Sequence, residues 1–286
     1  MFWRRLPAFL GAWMLLTAAS PAPRIVSTSP GVTEILFALG IGDRVAGVTN
    51  FCRYPPEAAR KPKIGTFLDP NLEVIASMKA GLVIIIANPI NLGARLRLMR
   101  QNVLEVDTLT VDGIYRAIMA IARATGVEER GSRLTELMRR DLALIRMRTV
   151  KLPRTRMAFI IGRTPGTLEG LIAAGRTSYL GALIEIAGGE NIFRDAVSAY
   201  PKISLEEMLH RNPEVIIDMG DTSHVAGVTE ADKRRVVALW SRYPSIPAVK
   251  TRRVHAVAND MFVVPGPRMV EAARSFARLL HPEAVP

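Results

Sequence analysis

The chain has 286 residues, of which 49% are hydrophobic and 22% are charged. This composition is typical of a globular protein and excludes a disordered, collagen-like or disulfide-built chain. The formal net charge is +12, and seven of the 38 basic residues are Lys. The arginines are spread along the chain without interleaved aromatics, which predicts a basic surface and no nucleic-acid-binding site. The single cysteine, Cys52, excludes an intramolecular disulfide and a multi-cysteine metal site.

Residues 1–19 have the three parts of a secretory signal peptide. Arg4 and Arg5 precede an almost wholly apolar run that ends at Leu16, and the small residues that follow predict cleavage after Ala19. The apolar run is shorter than the roughly 20 residues that a membrane-spanning helix needs. The sequence therefore predicts an exported, periplasmic protein, with an uncleaved membrane anchor as the alternative.

Between residues 20 and 126, short β-branched runs alternate with amphipathic stretches, which predicts an N-terminal α/β lobe. The apolar run 82–86 has the character of a parallel strand that is covered on both faces. Gly126 ends the lobe. The predicted elements are strand 24–27, helix 32–39 capped by Ser29, strand 45–48, a strand ending at 64–65, helix 71–78, strand 82–86, helix 92–101, strand 103–106 and helix 114–124.

Residues 128–149 contain no proline and place apolar side chains at helical spacing, which predicts one connecting helix of about 30 Å within 127–150. A second α/β lobe follows over 151–286. Because no kink is encoded in the helix, we expect a cleft between two lobes with little hinge closure. The predicted elements of the second lobe are strand 157–161, helix 179–187, helix 205–210, strand 215–218, helix 231–239, strand 254–258 and helix 267–280.

A weak internal repeat relates the two lobes. Asn71-Leu72-Glu73 precedes the strand that begins at Leu82, and Ser204-Leu205-Glu206 precedes the strand that begins at Val215. Each unit has a cap residue, a glutamate in the first turn of a helix, a short turn and a buried strand. The repeat predicts two similarly built lobes.

Ligands of parallel α/β sheets bind beyond the carboxyl ends of the strands, so the loops there are the candidate cleft. Several of them carry aromatic residues, which suit a large, flat, partly apolar ligand. The alternative is that each ring packs under its own loop. The candidate loops are 49–56, 65–70, 87–89, 162–175, 220–227 and 259–262, with 198–201 before a helix, and the aromatics are Phe51, Phe67, Tyr200 and Phe262.

A set of motifs spread over residues 24–281 resembles the periplasmic iron-chelate and cobalamin binding proteins of ABC importers, the class III type in which one long helix joins two lobes. The motifs are Ser29-Pro30 with Glu34, Phe51-Cys52-Arg53-Tyr54-Pro55-Pro56, Asn71-Leu72-Glu73, Gly188-Gly189-Glu190-Asn191-Ile192-Phe193, Ile203-Ser204-Leu205-Glu206, and Asp260 with Pro267-Arg268. The resemblance implies an α/β fold with two doubly wound lobes. Within the family, the pattern is most similar to the members that bind cobalamin.

The resemblance also implies roles for individual residues. Cleft aromatics of the cobalamin binders fall on Phe51, Phe67 and Tyr200, the last two in place of tryptophan, and a cleft carboxylate falls on Asp260. We expect Ile172 and Cys52 to complete the ligand contacts. In the family, two glutamates dock onto arginines of the permease dimer, and these fall on Glu73 and Glu206, although both also suit an ordinary helix start.

The sequence thus predicts a monomeric binding protein that is not an enzyme, has no intrinsic cofactor and captures a corrinoid for delivery to a permease. One alternative is the same fold binding haem or a ferric siderophore, with cleft arginines on its acid groups. An alternative of another class is an exported α/β enzyme that uses Asp260 or Cys52. The four histidines share no metal-ligand spacing, and only His224, in a predicted cleft loop, suits contact with a chelated metal.

Overall fold

The computed structural model describes residues 23–87, 90–220 and 228–283. These residues form two α/β lobes, each with its own sheet, joined by one long helix. The elements of the first lobe are β1 (Ile25–Ser27), α1 (Pro30–Ala38), β2 (Val45–Gly47), α2 (Pro56–Ala59), α3 (Leu72–Ser77), β3 (Leu82–Ile86), α4 (Leu92–Leu98), β4 (Val103–Val106) and α5 (Val111–Thr125).

The first sheet is parallel throughout, in the order β2-β1-β3-β4. The prediction of a strand ending at 64–65 is wrong, because this segment makes only isolated bridges, Val48 with Lys63 and Gly65 with Pro70. Pro62 and Pro70 flank the segment, and proline has no N–H to donate to a longer ladder.

The connecting helix α6 spans Glu128–Thr149, as predicted. It follows directly on α5, which ends at Gly126 with a left-handed φ of 73°. Met138, Leu142 and Ile145 form the buried stripe of α6 and pack into the core. No helix within the described ranges is both long enough and apolar enough to cross a membrane.

The second lobe has a mixed sheet in the order β10-β9-β5-β6-β8, with β7 pairing in parallel with β5. Strands β10, β9 and β5 are parallel, whereas β6 is antiparallel to both neighbours. The prediction of 162–175 as a loop is therefore wrong for β6, which has only one β-branched residue to mark it as a strand. The elements are β5 (Thr155–Gly162), β6 (Leu171–Ala173), α7 (Tyr179–Ile186), β7 (Gly189–Asn191), β8 (Lys202–Ile203), α8 (Leu205–Arg211), β9 (Val215–Asp218), α9 (Glu230–Trp240), α10 (Pro247–Lys250), β10 (Val254–Ala256) and α11 (Met269–Leu280).

The internal repeat appears as one local structure built twice. The side chain of Asn71 accepts a 2.9 Å hydrogen bond from the amide of Val74, and that of Ser204 accepts a 3.1 Å bond from Glu207. Lys79, after α3, and Asn212, after α8, both have a left-handed backbone, with φ of 47° and 44°. Each unit thus begins with a side-chain cap, reverses at the same position and enters a buried strand.

The two lobes share one hydrophobic core. Ile118 on α5, Met138 on α6, Leu183 on α7 and Phe276 on α11 belong to the same continuous cluster of buried side chains. Helices of both lobes therefore pack around α6, so movement of one lobe against the other would disturb a close-packed interior.

Candidate functional site between the lobes

A cavity of about 480 Å³ lies where the carboxyl ends of strands from both lobes meet. From the first lobe it is lined by the residues that end or follow β3 and β4, namely Ile86, Ala87, Val106, Asp107, Thr108 and Leu109. From the second lobe it is lined by Ile161, Leu180, Tyr200, Val263 and Pro265. The cavity therefore lies beyond the carboxyl ends of the strands, where ligands of parallel α/β sheets bind.

Tyr200 is the one predicted ligand residue among the described residues that line this cavity. Its segment is held against β6 by two backbone bonds, from Ala173 to the carbonyl of Pro201 at 3.0 Å and from Gly175 to that of Ala199 at 2.8 Å. Burial raises the pKa of Tyr200 to about 12. Ile172 lies on β6 opposite Lys202, close to the same segment, and is partly buried.

Phe51 and Phe67 lie in neighbouring loops of the first lobe. The amide of Asn50 donates a 2.9 Å hydrogen bond to the carbonyl of Gly65, which joins the loop that follows β2 to the loop that carries Phe67. Phe51 is 46% exposed. Because β2 and β4 form opposite edges of the first sheet, Phe51 follows the edge strand away from the cavity that Tyr200 lines.

Two other residues of the candidate loops are buried in the core. Cys52 is fully buried, accepts a 3.1 Å hydrogen bond from the Thr33 hydroxyl and lies 3.1 Å from the Thr49 hydroxyl. Burial raises the pKa of the Cys52 thiol. Cys52 therefore lies in the core of the first lobe, and its contact with the ligand stays a prediction. Phe262 stacks on Phe276 at 5.3 Å between ring centroids, so it packs beneath its own loop.

A buried charge cluster joins the lobes beside the cavity. Arg268 Nε donates a 3.0 Å hydrogen bond to Glu34 Oε2, and Arg268 Nη2 bonds Glu34 Oε1. The same Nη2 lies 2.9 Å from Asp260 Oδ1, and the guanidinium carbon lies 4.1 Å from the centre of the Tyr54 ring. Glu34 and Tyr54 belong to the first lobe, and Arg268 and Asp260 to the second. Glu34 and Asp260 are far apart along the chain, so their sequence positions do not predict that both carboxylates bond the same guanidinium.

Burial and the neighbouring charges shift the pKa values of the groups in this cluster. Burial raises the pKa of Glu34 to about 7, because the loss of hydration outweighs the favourable pairing with Arg268. Burial alone would lower the pKa of Arg268, but the hydrogen bonds and charges of Glu34 and Asp260 raise it above its ordinary value. A second cavity, of about 690 Å³, borders the cluster along Glu34, Tyr54 and Arg268.

The two glutamates of the internal repeat occupy equivalent positions. Glu73 is the second residue of α3 and Glu206 the second residue of α8, and both side chains are exposed. Hydrogen bonds from its own backbone and from Ser204 lower the pKa of Glu206. His224 and its loop lie outside the described residues, as do Asn88 and Pro89. Among the described residues, no group of three or more His, Cys, Asp or Glu side chains is arranged to hold a metal ion.

Two cavity-lining segments were absent from the candidate loops. Residues 107–109 follow the carboxyl end of β4, so their position beyond a parallel strand is itself a sequence signal for the cleft. Val263 and Pro265 follow the short 3-10 helix at Asp260–Phe262, and no sequence pattern distinguishes them.

Comparison with known proteins agrees with this architecture. Residues 25–260 match the family model described as periplasmic binding protein. An uncharacterized ABC transporter substrate-binding lipoprotein of Bacillus subtilis, YvrC, is 27% identical over 94% of this chain and 83% of its own length.

Two solved structures share the fold. The periplasmic vitamin B12 binding protein BtuF of Vibrio cholerae has a TM-score of 0.75 and 26% identity, covering 91% of this chain and 97% of that one. The periplasmic heme-binding protein RhuT of Roseiflexus sp. RS-1 has a TM-score of 0.74 and 25% identity, covering 91% and 100%. Since the family model matches more than half of the sequence, the chain belongs to the periplasmic binding protein family.

Proposed function

We propose that this protein is the substrate-binding protein of an ABC importer, and that it captures a corrinoid between its lobes and releases it unchanged. The observation that carries the proposal is the cavity of about 480 Å³, which both lobes line mainly with apolar side chains and with Tyr200. The similarity to a vitamin B12 binding protein along 91% of the chain supports a corrinoid as the ligand.

Tyr200 gives the cavity an aromatic ring, which suits either kind of flat macrocycle, a corrin or a porphyrin. Haem is the second candidate, because RhuT binds heme and because Arg268 borders the neighbouring cavity. Arg268, however, already bonds Glu34 and Asp260, which leaves it less able to pair with the carboxylates of haem.

The same geometry disfavours an exported enzyme. Asp260 is paired with Arg268 at 2.9 Å, and Cys52 is sealed in the core with a raised pKa, so neither suits a nucleophile at neutral pH. We therefore propose a binding protein without a cofactor of its own, exported by the signal sequence of residues 1–19, that works in the periplasm as a monomer.

We further propose that Glu73 and Glu206 dock onto the permease. Each is an exposed carboxylate in the first turn of equivalent helices, one on each lobe. A pair of like charges on two similarly built lobes suits a partner with two-fold symmetry and an arginine on each half.

Absorption titrations of the purified protein with cyanocobalamin, ferric haem and a ferric hydroxamate siderophore test the ligand. We expect a saturable one-to-one spectral change with cyanocobalamin and none with the siderophore. A saturable change with haem alone would favour the second candidate. No change with any of the three would contradict the proposal that the cleft binds a tetrapyrrole-like metal chelate.

A further inference from the structure

The junction of the lobes contains a fork of hydrogen bonds that is almost sealed from water. The Arg268 side chain is 9% exposed and that of Glu34 is 3% exposed. A guanidinium that bonds both oxygens of one carboxylate is held in orientation as well as in position. The fork therefore fixes the start of α11, in the second lobe, relative to α1 in the first.

The backbones of the two lobes are also in close contact beside this fork. Gly31, three residues before Glu34 on α1, faces the carbonyl of Pro265, which a β-carbon at position 31 would approach to 2.4 Å. A β-carbon on Gly266 would lie 3.4 Å from Glu34 Oε2. The Tyr54 ring packs on the guanidinium from the side of the first lobe. The contact thus combines an ion pair, a cation–π contact and direct backbone packing.

Arg268 also holds the carboxylate of Asp260. Its Nη2 is shared between Asp260 Oδ1 and Glu34 Oε1, so the same guanidinium joins a residue of the second lobe to one of the first. Asp260 keeps a quarter of its side chain exposed, whereas Glu34 is sealed. If Arg268 were absent, both carboxylates would lose their cation in a poorly hydrated site, which would favour separation of the lobes and entry of water.

We propose that Arg268 is a positioning residue that clamps the two lobes at a fixed spacing through Glu34 and orients Asp260, so that the cleft is formed before any ligand arrives. Only the benefit of this clamp for ligand binding rests on the proposed function, because the contacts that form the clamp involve no ligand. When the cleft is preformed, nearly every protein molecule is in the conformation that binds ligand. When the lobes are loosened, only a fraction of the molecules is in that conformation, and the apparent affinity falls in proportion to this fraction.

The test measures the spacing of the lobes without ligand. Spin labels are placed on exposed positions of each lobe, by Ala94→Cys on α4 and His210→Cys on α8, while the buried Cys52 stays unlabelled. Double electron–electron resonance of the doubly labelled protein should give one narrow distribution of distances between the two spin labels. Adding Arg268→Met should lengthen the mean distance and make the distribution about twice as wide, and Glu34→Gln, which keeps one acceptor, should have a smaller effect.

The matched control is Arg163→Met. Arg163 is also buried and bonds a buried carboxylate, Asp218, at 3.1 Å, but both residues belong to the second lobe. This variant should lose stability and keep the distance of the parent protein. Since Glu34→Gln is isosteric, it provides the measurement if Arg268→Met does not fold.

The outcomes separate the clamp from the proposed function. An unchanged distance in Arg268→Met and Glu34→Gln would overturn the clamp, whether or not the protein binds cyanocobalamin, and so would an equal shift in Arg163→Met. A changed distance, in a protein that binds no corrinoid, would support the clamp and contradict the proposed ligand. If both hold, Arg268→Met should bind cyanocobalamin roughly tenfold more weakly, since fewer molecules are competent.

Discussion

Gly31 on α1 and Pro265 in the second lobe approach each other so closely that no side chain fits between them. A β-carbon at position 31 would lie 2.4 Å from the backbone oxygen of Pro265, closer than real β-carbons come to any atom. Glycine at this position is therefore required by the packing of one lobe on the other, since its own helix would prefer alanine.

Gly31→Ala should lower the free energy of unfolding by about 1–3 kcal/mol, because the clash is with backbone and cannot be relieved by a rotamer change. Without the clash, the higher helix propensity of alanine would raise it by up to about 1 kcal/mol. The sign of the change, measured by urea denaturation, decides between the two. A stabilised variant would show that Gly31 and the carbonyl of Pro265 are not in direct contact.

Glu34 should make stability depend on pH. Its pKa is about 7 in the folded protein and 4.5 in the unfolded chain, so between these values the folded state holds a proton that the unfolded state has released. The contribution of Glu34 is therefore complete below pH 4.5 and is lost as the pH rises through 7, a change of about 3 kcal/mol.

Comparison of the wild type with Glu34→Gln, by urea denaturation from pH 4.5 to 8, isolates this effect. The difference in unfolding free energy between the two proteins should change in favour of the variant as the pH rises. A constant difference over this range would mean that the pKa of Glu34 is the same in both states.

Tyr200→Ala should weaken cyanocobalamin binding about tenfold, because the variant loses the one aromatic ring that lines the described part of the cavity between the lobes. Tyr243→Ala is the matched control. Tyr243 is a half-buried tyrosine of the second lobe that packs on a different hydrophobic cluster. Titration calorimetry measures both variants, and equal losses of affinity would show that Tyr200 acts through stability and not through the ligand.

Glu73→Gln and Glu206→Gln should each weaken binding to the permease about tenfold while leaving cyanocobalamin affinity unchanged, since each removes one charge-assisted pair. Glu129→Gln, in the first turn of α6, is the control for an exposed helix-start glutamate outside the repeat. Binding to the permease in nanodiscs at low and high salt gives the measurement. Equal effects of all three variants would contradict a docking role.

Cys52 should not react with a thiol reagent in the folded protein, since its sulfur is fully buried and burial raises its pKa. Full reaction is expected in guanidinium chloride. Ala94→Cys, at an exposed position of α4, adds a thiol that should react at once and serves as the positive control. Rapid labelling of the native wild type would contradict this burial and show that the Cys52 thiol is accessible from solvent.

The elements that sequence reasoning predicted best depend on neighbours along the chain. The bounds of α6 and of β9 follow from apolar spacing, and the caps of α3 and α8 follow from Asn71 and Ser204, whose side chains bond amides three residues away. The short strands β6, β7 and β8 were not predicted, because none of them has a run of β-branched residues such as the one that marked strand 24–27.

The contents of the junction depend on residues that are distant in sequence. Glu34 and Arg268 are 234 residues apart, and neither residue type nor spacing shows that they meet. Whether Cys52 is sealed or exposed, and whether Phe51 and Tyr200 share a pocket, depends on how two sheets pack against α6. Local hydrogen bonds and apolar periodicity are written in short stretches of sequence, whereas the cleft is made by the close packing of side chains brought together only in the folded chain.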